Sequence, residues 1–161
     1  MGLITLKMVD FQKSRFALMK ALKAAQPRGS VTVGVHEKEG LVKPPKSDMT
    51  VAEYAAANHF GTKRIPARPF LDVGVESVKD KIERDVKECY AKKLPLAQIY
   101  ARMGEIGAGG VRDYITNLKT PPNALSTQRK KGAKKGKGIL IDNPLVDNGI
   151  LKASITKQVH L

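Results

Sequence analysis

The chain has 161 residues, enough for one domain with a hydrophobic core and too few for two domains of ordinary size. Hydrophobic residues make up 42% and charged residues 27%, a balance that excludes a disordered chain and a membrane protein. The formal net charge of +14 predicts a polyanionic partner, a polyanionic environment or an acidic protein neighbour.

The first fifty residues predict a helix, a strand and a loop. Apolar residues at helical spacing over residues 10–25 predict an amphipathic helix within an N-terminal segment, residues 1–29. The alternating valines from Val31 to Val35 predict a half-buried strand. The Gly-, Lys- and Pro-rich residues 37–48 have no period, so they predict a surface loop.

The next segment predicts a short helix followed by an extended linker. Thr50 and Glu53 have the spacing of a capping box, and the helix they begin should end at Gly61. One face of this helix should carry Ala52, Ala55, Ala56 and His59. The two prolines of residues 61–74 favour an extended path, which the apolar residues Ile65, Phe70 and Leu71 would anchor.

Two longer helices are predicted after the linker. The apolar stripe from Val75 to Tyr90, with acid-before-base pairs four residues apart, predicts one helix that carries Cys89 on a face. Pro95 predicts the start of another helix that reaches Leu118. Its interior glycines each cost about 0.5 to 1 kcal/mol relative to alanine, so they predict a kink or a close approach by another element. These glycines are Gly104, Gly107, Gly109 and Gly110.

The last forty residues predict a basic loop, residues 120–138, and then a turn and a closing strand within residues 139–161. The loop contains six basic residues and no acid over one short stretch: Arg129, Lys130, Lys131, Lys134, Lys135 and Lys137. The elements together predict a single domain with an α+β fold, in which a small antiparallel sheet packs against two or three helices and the loops are long.

Residues that catalyse reactions are not assembled locally in this sequence. Catalysis needs a nucleophile beside a base, paired carboxylates or a metal cluster, and His36, His59 and His160 are isolated from one another along the chain. His59 fits a packed or helix-capping histidine better than a ligand or a base. We therefore expect no enzyme activity, no catalytic residue, no cofactor and no metal.

The basic stretch leaves two interpretations open. Its six cations are candidate DNA-facing residues, because lysine and arginine side chains attract phosphates without reading sequence. The alternative is a solvated loop without a partner. No aromatic residue lies among the lysines, so stacking on single-stranded bases is not supported and any contact with DNA would involve the backbone alone.

Three segments, in order, resemble one protein family. Residues 52–71, AEYAAANHFGTKRIPARPFL, resemble the Asn-Glu-Phe-Gly-Thr and Ile-Pro-x-Arg-Pro-Phe-Leu motifs of tailed-bacteriophage neck and tail-completion proteins. Residues 121–132, PPNALSTQRKKG, and residues 143–155, NPLVDNGILKASI, are similar to two later passages of the same proteins. The resemblance covers residues 31–161, and it departs from the family where His59 replaces glutamate, Asn148 replaces threonine and Ile150 replaces a longer polar residue.

The motif residues have structural interpretations. Phe60 and Phe70 would anchor the short helix and the linker to the sheet, and Gly61 would permit a left-handed helix stop. A turn at residues 147–149 would set Leu151 and Ile155 into the core. The complete set is Asn58, Phe60, Gly61, Pro66, Arg68, Pro69, Phe70, Leu71, Pro144, Leu145, Asp147, Gly149, Leu151, Ser154 and Ile155.

The resemblance implies a subunit of the virion, assembled in the host cytoplasm, that forms a homo-oligomeric ring of six or twelve copies at the neck. Such a ring completes the tail or joins it to the head around the DNA channel, beside portal or adaptor proteins and tail-tube or terminator proteins. Ring contacts are heterologous, and residues 37–49 and 120–138 are natural arms for them. The alternative function is a basic nucleic-acid-binding accessory module, and an enzyme of lysis or DNA processing has no supporting residues.

Overall fold

The computed structural model describes residues 29–45, 47–134, 140–146 and 149–161. The chain divides into two compact units, residues 1–30 with Leu161 and residues 31–160. The boundary falls where the sequence separates the N-terminal segment from the first strand. The predicted N-terminal helix and the residues Lys135, Lys137, Asp147 and Asn148 lie outside the described residues.

The described residues form two strands and seven helices, so the predicted α+β fold is confirmed with a larger helical part than expected. The strands pair as one antiparallel two-stranded sheet. The elements are β1 Ser30–Val35, α1 Glu37–Gly40, α2 Val51–Phe60, α3 Phe70–Glu76, α4 Lys79–Ala91, α5 Leu96–Asn117, α6 Leu125–Lys134, α7 Ile150–Ala153 and β2 Ile155–His160.

Helix α5 lies at the centre of the unit formed by residues 31–160, and it packs against α3, α4, α7 and β2. Pro95 occupies its N-cap position, as predicted from the sequence. The helix is continuous over 22 residues because its apolar positions keep the helical period and bury one side. Ile99, Ala108, Val111 and Ile115 form its buried apolar face.

The glycines of α5 explain how closely its neighbours approach. A Cβ built on Gly110 would lie 2.5 Å from the carbonyl oxygen of Gly74, and one on Gly74 would lie 2.6 Å from the Cα of Val111. Gly104 similarly faces Val31 and Lys157. Of the two expected alternatives, the structure shows the close approach, since α3 and β1 reach the backbone of a helix that is continuous from Leu96 to Asn117.

Helix α2 begins and ends where the sequence predicts. Thr50 accepts a hydrogen bond from the Glu53 amide and Glu53 accepts one from the Thr50 amide, which completes the capping box. Gly61 follows with φ 79° and ψ 169°, so the stop needs glycine, although its ψ lies outside the left-handed helical region. The buried face differs from the prediction, because Ala52 and Ala56 are exposed. It consists of Val51, Ala55, Asn58 and His59.

Two predicted elements divide differently in the structure. The extended linker ends at Pro69, because α3 begins at Phe70 and proline is well suited to a helix start. The long helix predicted from Val75 is interrupted at Ser77, whose hydroxyl donates to the Gly74 carbonyl at 2.7 Å. A serine that bonds the preceding turn competes with the helical ladder, so α3 and α4 are separate helices.

Two predicted loops contain helices. Residues 37–48 include the single turn α1, which Glu37 and Glu39 favour by placing acids at its N-terminus. The basic loop of residues 120–138 contains α6, whose lysines and arginine are good helix formers. The closing strand is confirmed as β2, and Gly149, with φ 73° and ψ −3°, precedes α7.

One hydrophobic core lies between α5, α2, α3 and the C-terminal segment. Phe70, Val111, Ile115 and Ile155 are completely buried in it. Leu118, Leu145 and Leu151 close its sides. Within the part of the chain that the structure describes, no helix is long and apolar enough to cross a membrane.

Candidate functional site

Arg68 connects two of the three segments that resemble the phage family. Its side chain is only 3% exposed. Nη1 donates to Asn58 Oδ1 at 3.3 Å, Nε to the Pro121 carbonyl at 3.1 Å and Nη2 to the Pro122 carbonyl at 3.0 Å. We call Arg68, Asn58, Pro121 and Pro122 the Arg68 junction. The planar guanidinium suits this role because its donors point in fixed directions to several acceptors at once.

Helix α2 and the turn after it hold the junction in place. Asn58 Nδ2 donates to the Tyr54 carbonyl at 2.9 Å, which leaves its Oδ1 directed at Arg68. The Arg68 amide donates to the Asn58 carbonyl at 2.8 Å, so backbone and side chain are both fixed. A Cβ on Gly61 would lie 2.9 Å from the Ala67 amide nitrogen, and the close return of the chain therefore depends on glycine.

The third segment is joined to the second by polar contacts. Asp142 Oδ1 accepts hydrogen bonds from the Asn123 amide at 3.0 Å and from Asn123 Nδ2 at 2.7 Å. Lys131 Nζ donates to the Asn143 carbonyl at 2.7 Å and to the Val146 carbonyl at 2.9 Å. These contacts join Asn123, which precedes α6, and Lys131, which lies within it, to residues 142–146.

The closing motif has the packing that was predicted for it. Leu151 and Ile155 lie in the core, and Pro144 is fully buried beside Leu145. Ser154 Oγ donates to the Ile150 carbonyl at 2.8 Å, so Ser154 is a local hydrogen-bonding residue. Leu145 has φ 62°, an uncommon value for a branched residue.

The phenylalanines of the motif differ sharply. Phe70 is completely buried, as predicted, whereas Phe60 is 78% exposed, so the prediction that Phe60 anchors α2 to the sheet is wrong. Phe60 is the last residue of α2, and the buried face of that helix has already ended at His59. Pro66 and Pro69 are exposed, while Leu71 is half-buried against the core.

His59 is packed, as the sequence interpretation favoured. Its ring meets Phe60 and Phe70 edge-on, with centroid distances of 4.6 and 5.4 Å. Nε2 lies 3.3 Å from Asp72 Oδ2, and Nδ1 is buried without a hydrogen-bond partner among the described residues. Two aromatic contacts and one carboxylate hold the ring at the edge of the core.

The other two histidines are not isolated, contrary to the prediction. His36 Nε2 and His160 Nε2 lie 3.0 and 3.3 Å from the hydroxyl of Thr32, and His36 Nδ1 lies 2.7 Å from the hydroxyl of Thr156. The antiparallel pairing of β1 and β2 brings these side chains together. Among the described residues, no three His, Cys, Asp or Glu side chains are placed to share a metal ion.

The basic stretch divides into two kinds of residue. Arg129, Lys130 and Lys134 are exposed on α6. Lys131 is a correction to the predicted DNA-facing set, because its ammonium group donates to two carbonyls of the closing segment. The helical period explains the difference, since Lys131 shares a side of α6 with the half-buried Gln128.

Hydrogen bonds and ion pairs lower the pKa values of Asp85, Glu105 and Glu53. The hydrogen bond from Arg102 holds the pKa of Asp85 below its usual value, and the same pair raises the pKa of Arg102. Lys157, at 2.9 Å, lowers the pKa of Glu105, with a smaller effect of Arg112. The Thr50 amide lowers the pKa of Glu53.

Sequence reasoning missed the role of Arg68 as a junction and the contact of Asn123 with Asp142. A signal for the first was present: Arg68 stands between the apolar residues Ile65 and Phe70, and residues 54–71 contain no acid, so a buried arginine had to find neutral acceptors. Comparisons with protein-family models, curated proteins and solved structures found no match to this chain.

Proposed function

We propose that this chain is a structural subunit of a tailed-bacteriophage virion, which forms a ring at the neck and completes the tail or joins it to the head around the DNA channel. The proposal begins from the three segments that resemble neck and tail-completion proteins, residues 52–71, 121–132 and 143–155. Its partners would be further copies of itself, portal or adaptor proteins, and tail-tube or terminator proteins.

The observation that carries the proposal is the convergence of these segments in one packed body. Arg68 of the first segment donates to the carbonyls of Pro121 and Pro122 in the second. Lys131 of the second donates to the carbonyl of Asn143 in the third. Motif residues from all three serve to fix the backbone, which is the use expected in a subunit selected for its shape.

The charge distribution supports a position beside DNA. Between Asp113 and Asp142 the chain contains seven basic residues and no acid. Arg129 and Lys130 project from α6 into solvent. A surface of this kind attracts a phosphate backbone without sequence preference, as the wall of a DNA channel would.

Imaging of the purified protein tests the proposal. We expect negative-stain images to show closed rings, either of the protein alone or after addition of the portal and tail-tube proteins of the same phage. A chain that stays monomeric in all of these mixtures would contradict the proposal. The variant Phe70→Ala is the matched negative control, because loss of its core should abolish rings together with the fold.

The runner-up, a nucleic-acid-binding accessory module, is favoured by the same exposed cations of α6. It predicts strong duplex binding by a monomer, with an affinity that falls steeply with salt. In that case Arg129→Gln combined with Lys130→Gln should flatten the salt dependence, whereas Lys81→Gln combined with Lys87→Gln, which removes the same charge from α4, should not. Rings without DNA would favour the neck subunit instead.

A further inference from the structure

Exposed apolar side chains lie at both ends of α2, and we call each group a patch. The C-terminal patch is Phe60 with its exposed neighbours Lys63 and Arg64. The N-terminal patch consists of Leu41, Val42 and Met49, which are 68%, 51% and 41% exposed. The Val51 amide donates to the Val42 carbonyl at 2.9 Å, which places this patch beside the first turn of the helix.

The two patches differ in charge. Residues 60–69 contain Lys63, Arg64 and Arg68 and no acid, and Arg68 is buried, so two exposed cations follow Phe60 along the chain. Asp72, whose side chain is 80% exposed, lies 3.3 Å from His59 at this end of the helix. The exposed charges near the C-terminal patch are therefore two cations and one carboxylate, a net charge of +1.

The N-terminal patch has the opposite tendency in a strongly basic chain. Residues 37–53 contain four acids and three lysines, which leaves one excess negative charge where the whole chain carries +14. Glu37, Asp48 and Glu53 are exposed, together with Lys38 and Lys43. An aromatic side chain beside a net positive charge is complemented by an apolar surface with a net negative charge.

Resting on the proposed ring, we infer that the C-terminal patch of one copy docks onto the N-terminal patch of the next copy. The ten residues of α2 separate the two patches by about 15 Å, so they cannot cover each other within one chain. Two different patches that complement one another define a heterologous contact, and such a contact builds rings when its rotation closes. Phe60 would be its aromatic anchor, since exposed aromatic residues carry much of the binding energy at interfaces.

A mixing experiment tests this contact. Phe60→Ser removes the C-terminal patch, and Leu41→Ser with Val42→Ser removes the N-terminal patch. Tyr90→Ser is the control, because Tyr90 is an aromatic residue, 57% exposed, outside both patches. Sedimentation velocity and native mass spectrometry across a concentration series, for each protein alone and for equimolar mixtures, report the size of the assembly.

We expect the wild type and Tyr90→Ser to form rings and each patch variant to remain monomeric. The mixture of the two patch variants should give heterodimers and nothing larger, because only one intact pair of patches is left. Each variant should keep the melting temperature of the wild type, since the substituted residues are exposed.

Other results overturn the inference and separate it from the proposed function. Rings formed by either patch variant alone, or a mixture that stays monomeric while the wild type assembles, would show that the ring uses another surface. Variants that assemble normally but no longer bind the portal protein would identify the portal as the occupant, contrary to the inference. A wild type that never assembles would contradict the proposed ring itself.

Discussion

The Arg68 junction and helix α6 both carry cations, and they place them differently. At the junction, one buried guanidinium donates to three uncharged acceptors and joins two distant segments. On α6, Arg129 and Lys130 stay in solvent, and Lys131 turns inward to the carbonyls of Asn143 and Val146. The buried arginine therefore has a structural role, while Arg129 and Lys130 remain available to a partner.

The comparison teaches that the number of charges in a segment does not determine their use. A buried cation must satisfy its donors, so it is held by carbonyl and amide oxygens at fixed positions. An exposed cation has water as its alternative partner and contributes little to folding. Substitutions in the two regions should therefore affect different properties: the free energy of unfolding at the junction, and binding or assembly on the surface.

The largest effect is expected in the core beside the junction. Phe70→Ala should lower the free energy of unfolding by about 3 to 5 kcal/mol, because a fully buried aromatic ring leaves a cavity, and the protein should become insoluble. Phe60→Ala should change it by less than about 0.5 kcal/mol, since Phe60 is exposed. The yield of soluble protein reports the loss of solubility, urea denaturation of the protein that stays soluble measures both free energies, and equal melting temperatures for Phe70→Ala and wild type would contradict this packing.

At the junction itself, Arg68→Met keeps the length of the side chain and removes its donors. Buried acceptors on Asn58 and Pro121 then lose their partner, which should cost about 2 to 3 kcal/mol. Arg64→Met, at an exposed position of the same turn, should be neutral within about 0.5 kcal/mol. Equal denaturation midpoints for the two variants would refute the structural role of Arg68.

Adjacent glycines of α5 test how tightly the core is closed. Gly110→Ala should destabilise by about 1 to 3 kcal/mol, because its Cβ would meet Gly74 and Val78. Gly109→Ala should stabilise by about 0.5 to 1 kcal/mol, since nothing lies within 4 Å of its Cβ and alanine favours a helix. Calorimetry that found the same sign for both would show that α3 does not cross α5 at Gly110.

The contrast within α6 can be sharpened with neighbouring lysines. Lys131→Ala should destabilise by about 1 kcal/mol, because two carbonyls lose a charged donor, whereas Lys130→Ala should leave stability unchanged. Under the proposed function, neutralising Arg129 and Lys130 should therefore keep the fold and impair assembly or DNA passage. If a phage that carries these substitutions had wild-type infectivity, this surface of α6 would have no role in assembly or DNA passage.

The smallest expected effect is the decline of the melting temperature at acidic pH. Asp85 and Glu105 have pKa values lowered by Arg102 and Lys157, so their stabilisation is complete above the ordinary values of 3.8 and 4.5 and is lost as pH falls through the lowered values. The melting temperature should be level from neutral pH to about pH 5 and decline below it. Asp85→Asn should reduce that decline. If the melting temperature of the variant declined below pH 5 as steeply as that of the wild type, the ion pair between Asp85 and Arg102 would contribute nothing to stability.

The sequence predicted those elements whose signals are local. The capping box at Thr50, the helix start at Pro95 and the alternating valines of β1 depend on neighbours a few residues away, and all three are confirmed. The break at Ser77 was not predictable, because the apolar stripe continues through it and the hydrogen bond from the Ser77 hydroxyl to the Gly74 carbonyl leaves no periodic signal.

The site was predicted in its residues and only partly in its contacts. The resemblance selected Asn58, Arg68 and Phe70, all buried. It also selected Phe60, whose position one residue past the buried face of α2 depends on where the helix ends. Two of the three acceptors of the Arg68 side chain are carbonyls more than fifty residues away, and backbone acceptors leave no mark in a sequence.

A reconstruction of the intact phage particle at the junction of head and tail tests the central claim most directly. The proposal predicts several copies of this chain in a ring at that junction, with α6 toward the DNA channel and Phe60 between neighbouring copies. A map in which this polypeptide is absent from the junction would contradict it.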